Sequence, residues 1–254
     1  MSRLRHTGWS ILWIMTLVAA IQLGAMPTAS GRDEHNGDGH SGDGHSGDQH
    51  SGEGRLVEPR KKVDGLTGRD AMAEGWYRTF SLPATENPWF GNGDRCVKLG
   101  RTEKVLLALG NGPPQNCTVK QGTAVLVLGL MTVCDDVEQP PYYAVGEAAQ
   151  RKCAWTDLRA ITKSLRLTVD GGRAIDLQKR RFAICAPQQA VQLRPDNFLD
   201  VPAQPATFTA CGWVAWLTDL APGRHVLNSR ATFFDGSEPH VWAPVINVVR
   251  GNHH

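Results

Sequence analysis

Apolar positions in the body of the chain fall in short bursts separated by Gly and Pro, and two periods can be read in them. Over 67–80, Met72, Trp76, Tyr77 and Phe80 recur at helical spacing. Thr67 can cap that segment, Asp70 suits the first turn, and Pro83 stops it, so a short helix is predicted. Beyond it the apolar runs are short and β-like, at 104–109, 123–130, 164–169, 181–185, 206–216, 225–234 and 241–249. Val125, Val127 and Gly129 alternate with Leu126, Leu128 and Leu130, so both faces of that run are apolar, as in a central strand. Leu165, Leu167 and Val169 alternate with Arg166 and Thr168, the pattern of a half-exposed strand. Asp170-Gly171-Gly172 is a turn signal that makes 173–177 the return arm of a hairpin. A second helix is predicted over 146–161. Many short strands with frequent turns, and no alternation of strand with helix, predict a mainly β fold. The expected architecture is an antiparallel β-sandwich, jelly-roll-like or Ig-like, with one or two short helices.

The N-terminus has a different grammar. Arg3, Arg5 and His6 precede the apolar run 9–26, small residues follow at Thr28-Ala29-Ser30, and no acid precedes Asp33. This is the pattern of a secretory signal peptide over 1–30. The alternative is an uncleaved anchor, since an apolar run of about 18 residues is at the edge of spanning a bilayer. Arg3 and Arg5 are not adjacent, which argues against a twin-arginine signal. Residues 31–66 are then expected as a tail and linker without a core, and 67–254 as the folded domain, secreted, periplasmic or on the cell surface. The charged run Arg60-Lys61-Lys62 in the linker reads as a solvated segment, with a cleavage site or a contact to an anionic surface as alternatives.

Charge and cysteines change this picture in specific ways. The formal charge of +2 excludes a strongly basic nucleic-acid binder on bulk electrostatics. It conceals an asymmetry: residues 31–54 carry six acids against one Arg, while 55–254 carry 24 basic and 19 acidic residues. Cys96, Cys117, Cys134, Cys153, Cys185 and Cys211 all lie in the body, and an even number in an exported chain reads as disulfides. No pair is spaced C-x-x-C, which argues against a zinc ribbon or a thioredoxin-like site. Fifteen pairings are possible. The sequential one is favoured, Cys96 with Cys117, Cys134 with Cys153 and Cys185 with Cys211.

The tail 35–54 is a five-residue repeat that places His35, His40, His45 and His50 in phase among Gly, Ser and Asp. Without apolar residues it cannot offset its own ordering entropy and reads as disordered. Imidazole and carboxylate together suit zinc, nickel or copper. The five-residue step fits neither a helix face nor a strand face, so ligation would require the chain to curl at its glycines. A flexible spacer is the competing reading. No obligatory cofactor is implied.

In order along the chain, GWYRTFSLP, ENPWFGNGDRC, NCTVKQGTAVLVLGLMTVC, SLRLTVDG and LTDLAPGRHVLNSRATF resemble a family of uncharacterised secreted bacterial proteins over about 71–250. Those proteins share a Trp-rich helix before a Pro, a Cys-Thr-Val-Pro-x-Gly strand entry, a Val-Asp-Gly hairpin and a Leu-x-Pro-Gly-x-His entry. The chain departs from the pattern at Lys120, where Pro is usual, and lacks the Gln-containing segment after Cys96. The resemblance implies an all-β sandwich and export, and it carries no activity. The sequon Asn116-Cys117-Thr118 is expected to bear no glycan, because Cys117 is bridged and the resemblance is bacterial.

Candidate chemistry is sparse. The chain has no G-x-S-x-G elbow, G-x-x-x-x-G-K-[ST] phosphate-binding loop or H-E-x-x-H. Asp135, Asp136 and Glu138 read as a solvated acidic turn, with a hard cation as the alternative. Apart from His253 and His254 at the chain end, which carry no weight, His225 and His240 are the body histidines, and neither has an identifiable catalytic partner in sequence. Trp89, Trp155, Trp213, Trp216, Trp242, Tyr142 and Tyr143 can form core or sugar-stacking platforms. The favoured function is therefore an exported non-enzymatic binding or structural domain for an extracellular ligand, carbohydrate or protein. The alternative is an exported hydrolase of a carbohydrate or ester. A pocket joining a histidine to two carboxylates would favour the hydrolase.

Overall fold

In the computed structural model, residues 54–89, 93–109 and 115–251 are described. The element order is β1 (Arg55–Val57), α1 (Gly68–Ser81), β2 (Lys98–Leu99), β3 (Val105–Ala108), β4 (Asn116–Lys120), β5 (Ala124–Asp135), α2 (Glu147–Ile161), β6 (Thr162–Val169), β7 (Ile175–Asp176), β8 (Ala183–Cys185), β9 (Gln189–Gln192), β10 (Pro205–Thr218), β11 (Gly223–Phe233), β12 (His240–Trp242) and β13 (Val245–Val249). The strands form two sheets. One has the order β1-β10-β5-β3-β2, with β8 and β9 also paired to β10; the other has the order β4-β13-β11-β6-β7, with β12 paired to β11. The fold is mainly β, sandwich-like and mostly antiparallel. Two pairings are parallel, β3 with β5 and β4 with β13.

The two-faced apolar run read in the sequence is β5, and its faces divide the interior. Leu126 and Leu128 join Val214 and Trp216 of β10 in a core that α1 covers with Met72, Trp76 and Phe80. Val125 and Val127 join Trp213, Ala215 and Leu217 on the opposite face, against Leu165, Leu167 and Leu227 of the second sheet. α1 begins with a capping box: the Asp70 amide donates to Thr67 Oγ1, and the Thr67 amide donates to Asp70 Oδ2 at 3.2 Å. β5 and β10 approach closely at Gly129 and Gly212, where a Cβ would lie 2.7 Å from the Trp213 carbonyl oxygen and 2.6 Å from that of Leu130. A register shift between Trp213 and Val214 accompanies this approach.

Several expectations need adjustment. Residues 55–66 are not a linker outside the domain. β1 pairs antiparallel with the end of β10, and Trp216 Nε1 donates to the Lys61 carbonyl at 3.1 Å. An edge strand of three residues leaves too short a pattern to read. The run 241–249 is two strands, because Pro244 has no N–H for the ladder and interrupts it. β4 was missed because its alternation, Asn116 to Lys120, is polar outside and holds only Cys117 and Val119 inside. Among the described residues no helix is long and apolar enough to cross a membrane. The repeat and the segment 1–30 lie outside the described residues.

Candidate functional site: an arginine groove

The disulfides are Cys96–Cys117, Cys134–Cys153 and Cys185–Cys211, the sequential pairing. Two of them frame α2. Cys153 on that helix is tied to Cys134 on β5, and the Cys185–Cys211 bridge joins directly paired residues of β8 and β10 beside it. Gln150, Ala154 and Leu158 form the buried face of α2. Gln150 anchors its start: Nε2 donates to the carbonyls of Ala144 (3.1 Å) and Thr207 (2.9 Å), and Oε1 accepts from Thr209 Oγ1 (3.0 Å). With that face fixed, the helical period aligns Arg151, Trp155 and Arg159 at i, i+4 and i+8 along an outer stripe.

This stripe forms one wall of a surface groove of about 310 Å3. Arg60 from the turn after β1, Arg69 from α1, Arg180 from the turn before β8, and Cys185 complete the site. The lining holds five arginines and no carboxylate. A second hollow of about 490 Å3 shares Arg151, Trp155, Arg159 and Cys185 and adds Lys152 and Thr156. Three of the guanidiniums are positioned by neighbours. Arg69 Nε donates to the Cys185 carbonyl at 2.9 Å, Arg151 pairs with Glu147 one turn earlier, and Arg159 lies 5.0 Å over the Trp155 ring. Arg151 Nε is buried and has no hydrogen-bond acceptor. Such a donor costs about 1–3 kcal/mol when left unsatisfied. Arg60, Arg159 and Arg180 make no ion pair with a carboxylate among the described residues. What this arrangement can do chemically is bind oxyanions through planar N–H forks.

The residues singled out from sequence are dispersed. His35, His40, His45 and His50 lie outside the described residues. Among the described residues, no group of three or more His, Cys, Asp and Glu is arranged to hold a metal ion. His225 is buried with both ring nitrogens engaged, Nδ1 at 2.7 Å from Asp170 Oδ2 and Nε2 at 2.8 Å from the Ala221 carbonyl. It meets one carboxylate and offers neither nitrogen to a substrate; it fastens the β6–β7 turn to β11. His240 packs on Trp242 at 5.1 Å. Trp89, Trp213, Trp216 and Trp242 are core residues. Trp155 reaches the surface, but Arg159 covers its face and Trp213 meets it edge-on at 5.4 Å. It is a seat for a guanidinium rather than a platform for sugar. Tyr142 and Tyr143 are exposed on the loop before α2.

The acidic turn is not solvated as expected. Asp135 is fully buried at the end of β5, and its Oδ1 accepts the amides of Val137 (2.9 Å) and Glu138 (2.8 Å). Its Oδ2 is buried without a hydrogen-bond donor, and the Glu138 carboxyl is a close neighbour. Burial first, then the neighbouring Asp135 charge, pushes the Glu138 carboxyl up to about 8. The Asp135 carboxyl is also raised, chiefly by burial. Both shifts favour holding a proton on the pair, which is how two acids can sit side by side there. Asp136 is separately satisfied, with Oδ1 accepting the Thr207 amide and Oδ2 its hydroxyl, both at 2.7 Å.

Sequence reasoning missed the groove. The stripe Arg151, Trp155, Arg159 was readable once the helix 146–161 was predicted, and Arg60 was noted within a basic run. Arg69 and Arg180 carried no local signal, because they arrive from distant segments. Comparison with protein families, curated proteins and solved structures finds no match for this chain.

Proposed function

We propose that this chain is an exported, non-enzymatic binding domain whose ligand presents an anionic group to the arginine groove. The observation that carries the reading is the lining itself: five arginines from four separate segments and no carboxylate. Like charges converge at a cost unless a counter-charge joins them, so the groove suits an oxyanion. Export is supported by the signal-like segment 1–30 and by three disulfides, which persist in oxidising compartments. The resemblance to secreted bacterial proteins points the same way. The hydrolase reading finds less support, because His225 has no open nitrogen.

Thermal melting of the full chain with sodium tripolyphosphate, against chloride at equal ionic strength, tests the proposal. A ligand that binds the folded state raises the midpoint by mass action. The expected result is a rise with tripolyphosphate that is lost in R69Q/R180Q. An equal response in that variant would place anion binding elsewhere, and no response in the parent would sink the reading.

A further inference from the structure

We infer that the ligand of the groove is a linear acidic polysaccharide, bound through successive carboxylate or sulfate groups along α2. The inference rests on the anion-binding reading above and adds the class of ligand. Arg151 and Arg159 are eight residues apart on one helix face, which at the helical rise places their backbones about 12 Å apart. Arg151 is paired to Glu147, one turn towards the helix start, and Arg159 lies over Trp155. A chain with repeated anionic groups can meet the two positions at once.

The shape agrees. The two hollows share Arg151, Trp155, Arg159 and Cys185 and together follow α2, with Lys152 and Thr156 extending the polar lining. Both are open to solvent along the surface, as a polymer that passes through requires and a small enclosed ligand does not.

The chemistry selects among polyanions. Single-stranded nucleic acid is held by aromatic faces on which bases stack as well as by cations. The aromatic ring in this groove has its face covered by Arg159 and meets Trp213 at its neighbour's edge. An acidic peptide in extended form takes much of its affinity from pairing with a sheet edge. The wall here is a helix and a strand, β8, that is already paired to β10. What the groove supplies is guanidinium forks and a hydroxyl, which suit the carboxylates, sulfates and ring hydroxyls of an acidic glycan.

The test uses the full chain and oligogalacturonates of one, four and ten units, followed by calorimetry and by anisotropy of the labelled decamer. The decamer should bind at least about tenfold more tightly per uronate than the monomer, with affinity falling steeply between about 50 and 200 mM salt as counterions are released. R151Q/R159Q should weaken decamer binding about tenfold or more, since two charge-assisted contacts are removed. Arg224→Gln, an exposed charge on β11, should leave it unchanged. If the double variant melts early, R180Q on a separate segment replaces it, with the same expected direction. Equal affinity per uronate for monomer and decamer would overturn the polymer inference and leave the anion site standing. Tighter binding of a ten-residue thymidine strand or of hexaglutamate would overturn the ligand class. Failure of every uronate alongside a tripolyphosphate response would refute the inference alone; failure of both probes would refute both readings.

Discussion

Replacing Glu138 by Gln isolates the proton held on the Asp135–Glu138 pair. In the folded chain the Glu138 carboxyl is pushed up to about 8, by burial first and then by Asp135, from an ordinary value of 4.5. A carboxyl whose folded value is raised binds its proton more tightly in the folded than in the unfolded chain. Its contribution to stability is therefore fully present below about pH 4.5 and is lost as pH rises through about 8. The interval between those values sets a ceiling of roughly 5 kcal/mol at 1.36 kcal/mol per pH unit. Glu138 is only partly buried, so water screens much of this, and a loss on the order of 1–2 kcal/mol is the working magnitude. The amide of Gln keeps a donor for Asp135 and cannot ionise. Parent and E138Q should melt within about 1 °C of each other at pH 5, where the carboxyl is still protonated. At pH 9 the variant should melt about 2–8 °C higher, given some 2–4 °C per kcal/mol for a chain of this size. Thermal unfolding followed by near-ultraviolet circular dichroism at pH 5, 7 and 9 reads the difference directly, with other titrating groups common to both proteins. A gap between parent and variant that stays constant across these pH values would refute this reasoning.

Three further outcomes are expected. A chain beginning at Val63 should melt at least about 2 °C below one beginning at Gly54, because it loses the β1–β10 pairing and the Lys61 acceptor of the buried Trp216 indole, with about 1–3 kcal/mol at stake. Equal midpoints would show that β1 does not contribute. Thiol titration of the denatured, unreduced chain should find no free cysteine, and C185A/C211A should cost about 2–5 kcal/mol in urea unfolding; a stability loss under about 1 kcal/mol would contradict this account of the bridge. Zinc or nickel binding by calorimetry near neutral pH, where imidazole is largely deprotonated, should disappear when His35, His40, His45 and His50 are changed to Ala, without any shift in the melting of the body; unchanged affinity in that variant would move the metal site to the body.

The sequence by itself determined those features that depend on neighbours along the chain. Thr67 and Asp70 marked the start of α1 and Pro83 its end, because capping and the loss of an amide act within one turn. The apolar runs marked β5, β6, β10 and β11, and the two-faced run 123–130 marked a strand buried on both sides, because burial must satisfy every face that touches the core. The Asp170-Gly171 turn, with positive φ at both residues, marked the β6–β7 hairpin. The sequential disulfides also follow a local rule, loop closure between neighbouring cysteines.

Other features were decided by the tertiary structure alone. β1 is a strand because the end of β10 has an open edge beside it, not because three residues prefer to be extended. Asp135 is buried because Tyr142 and Ala144 fold back to bond its backbone, turning an apparently solvated acidic run into a proton-holding pair. The arginine groove exists because the Cys185–Cys211 bridge, the buried face of α2 and the start of α1 bring together residues from 60 to 185. Charge convergence of this kind is a property of positions in space. The Coulomb term depends on distance through the fold, and spacing along the chain records it only where one helix, as with Arg151 and Arg159, carries two of the partners.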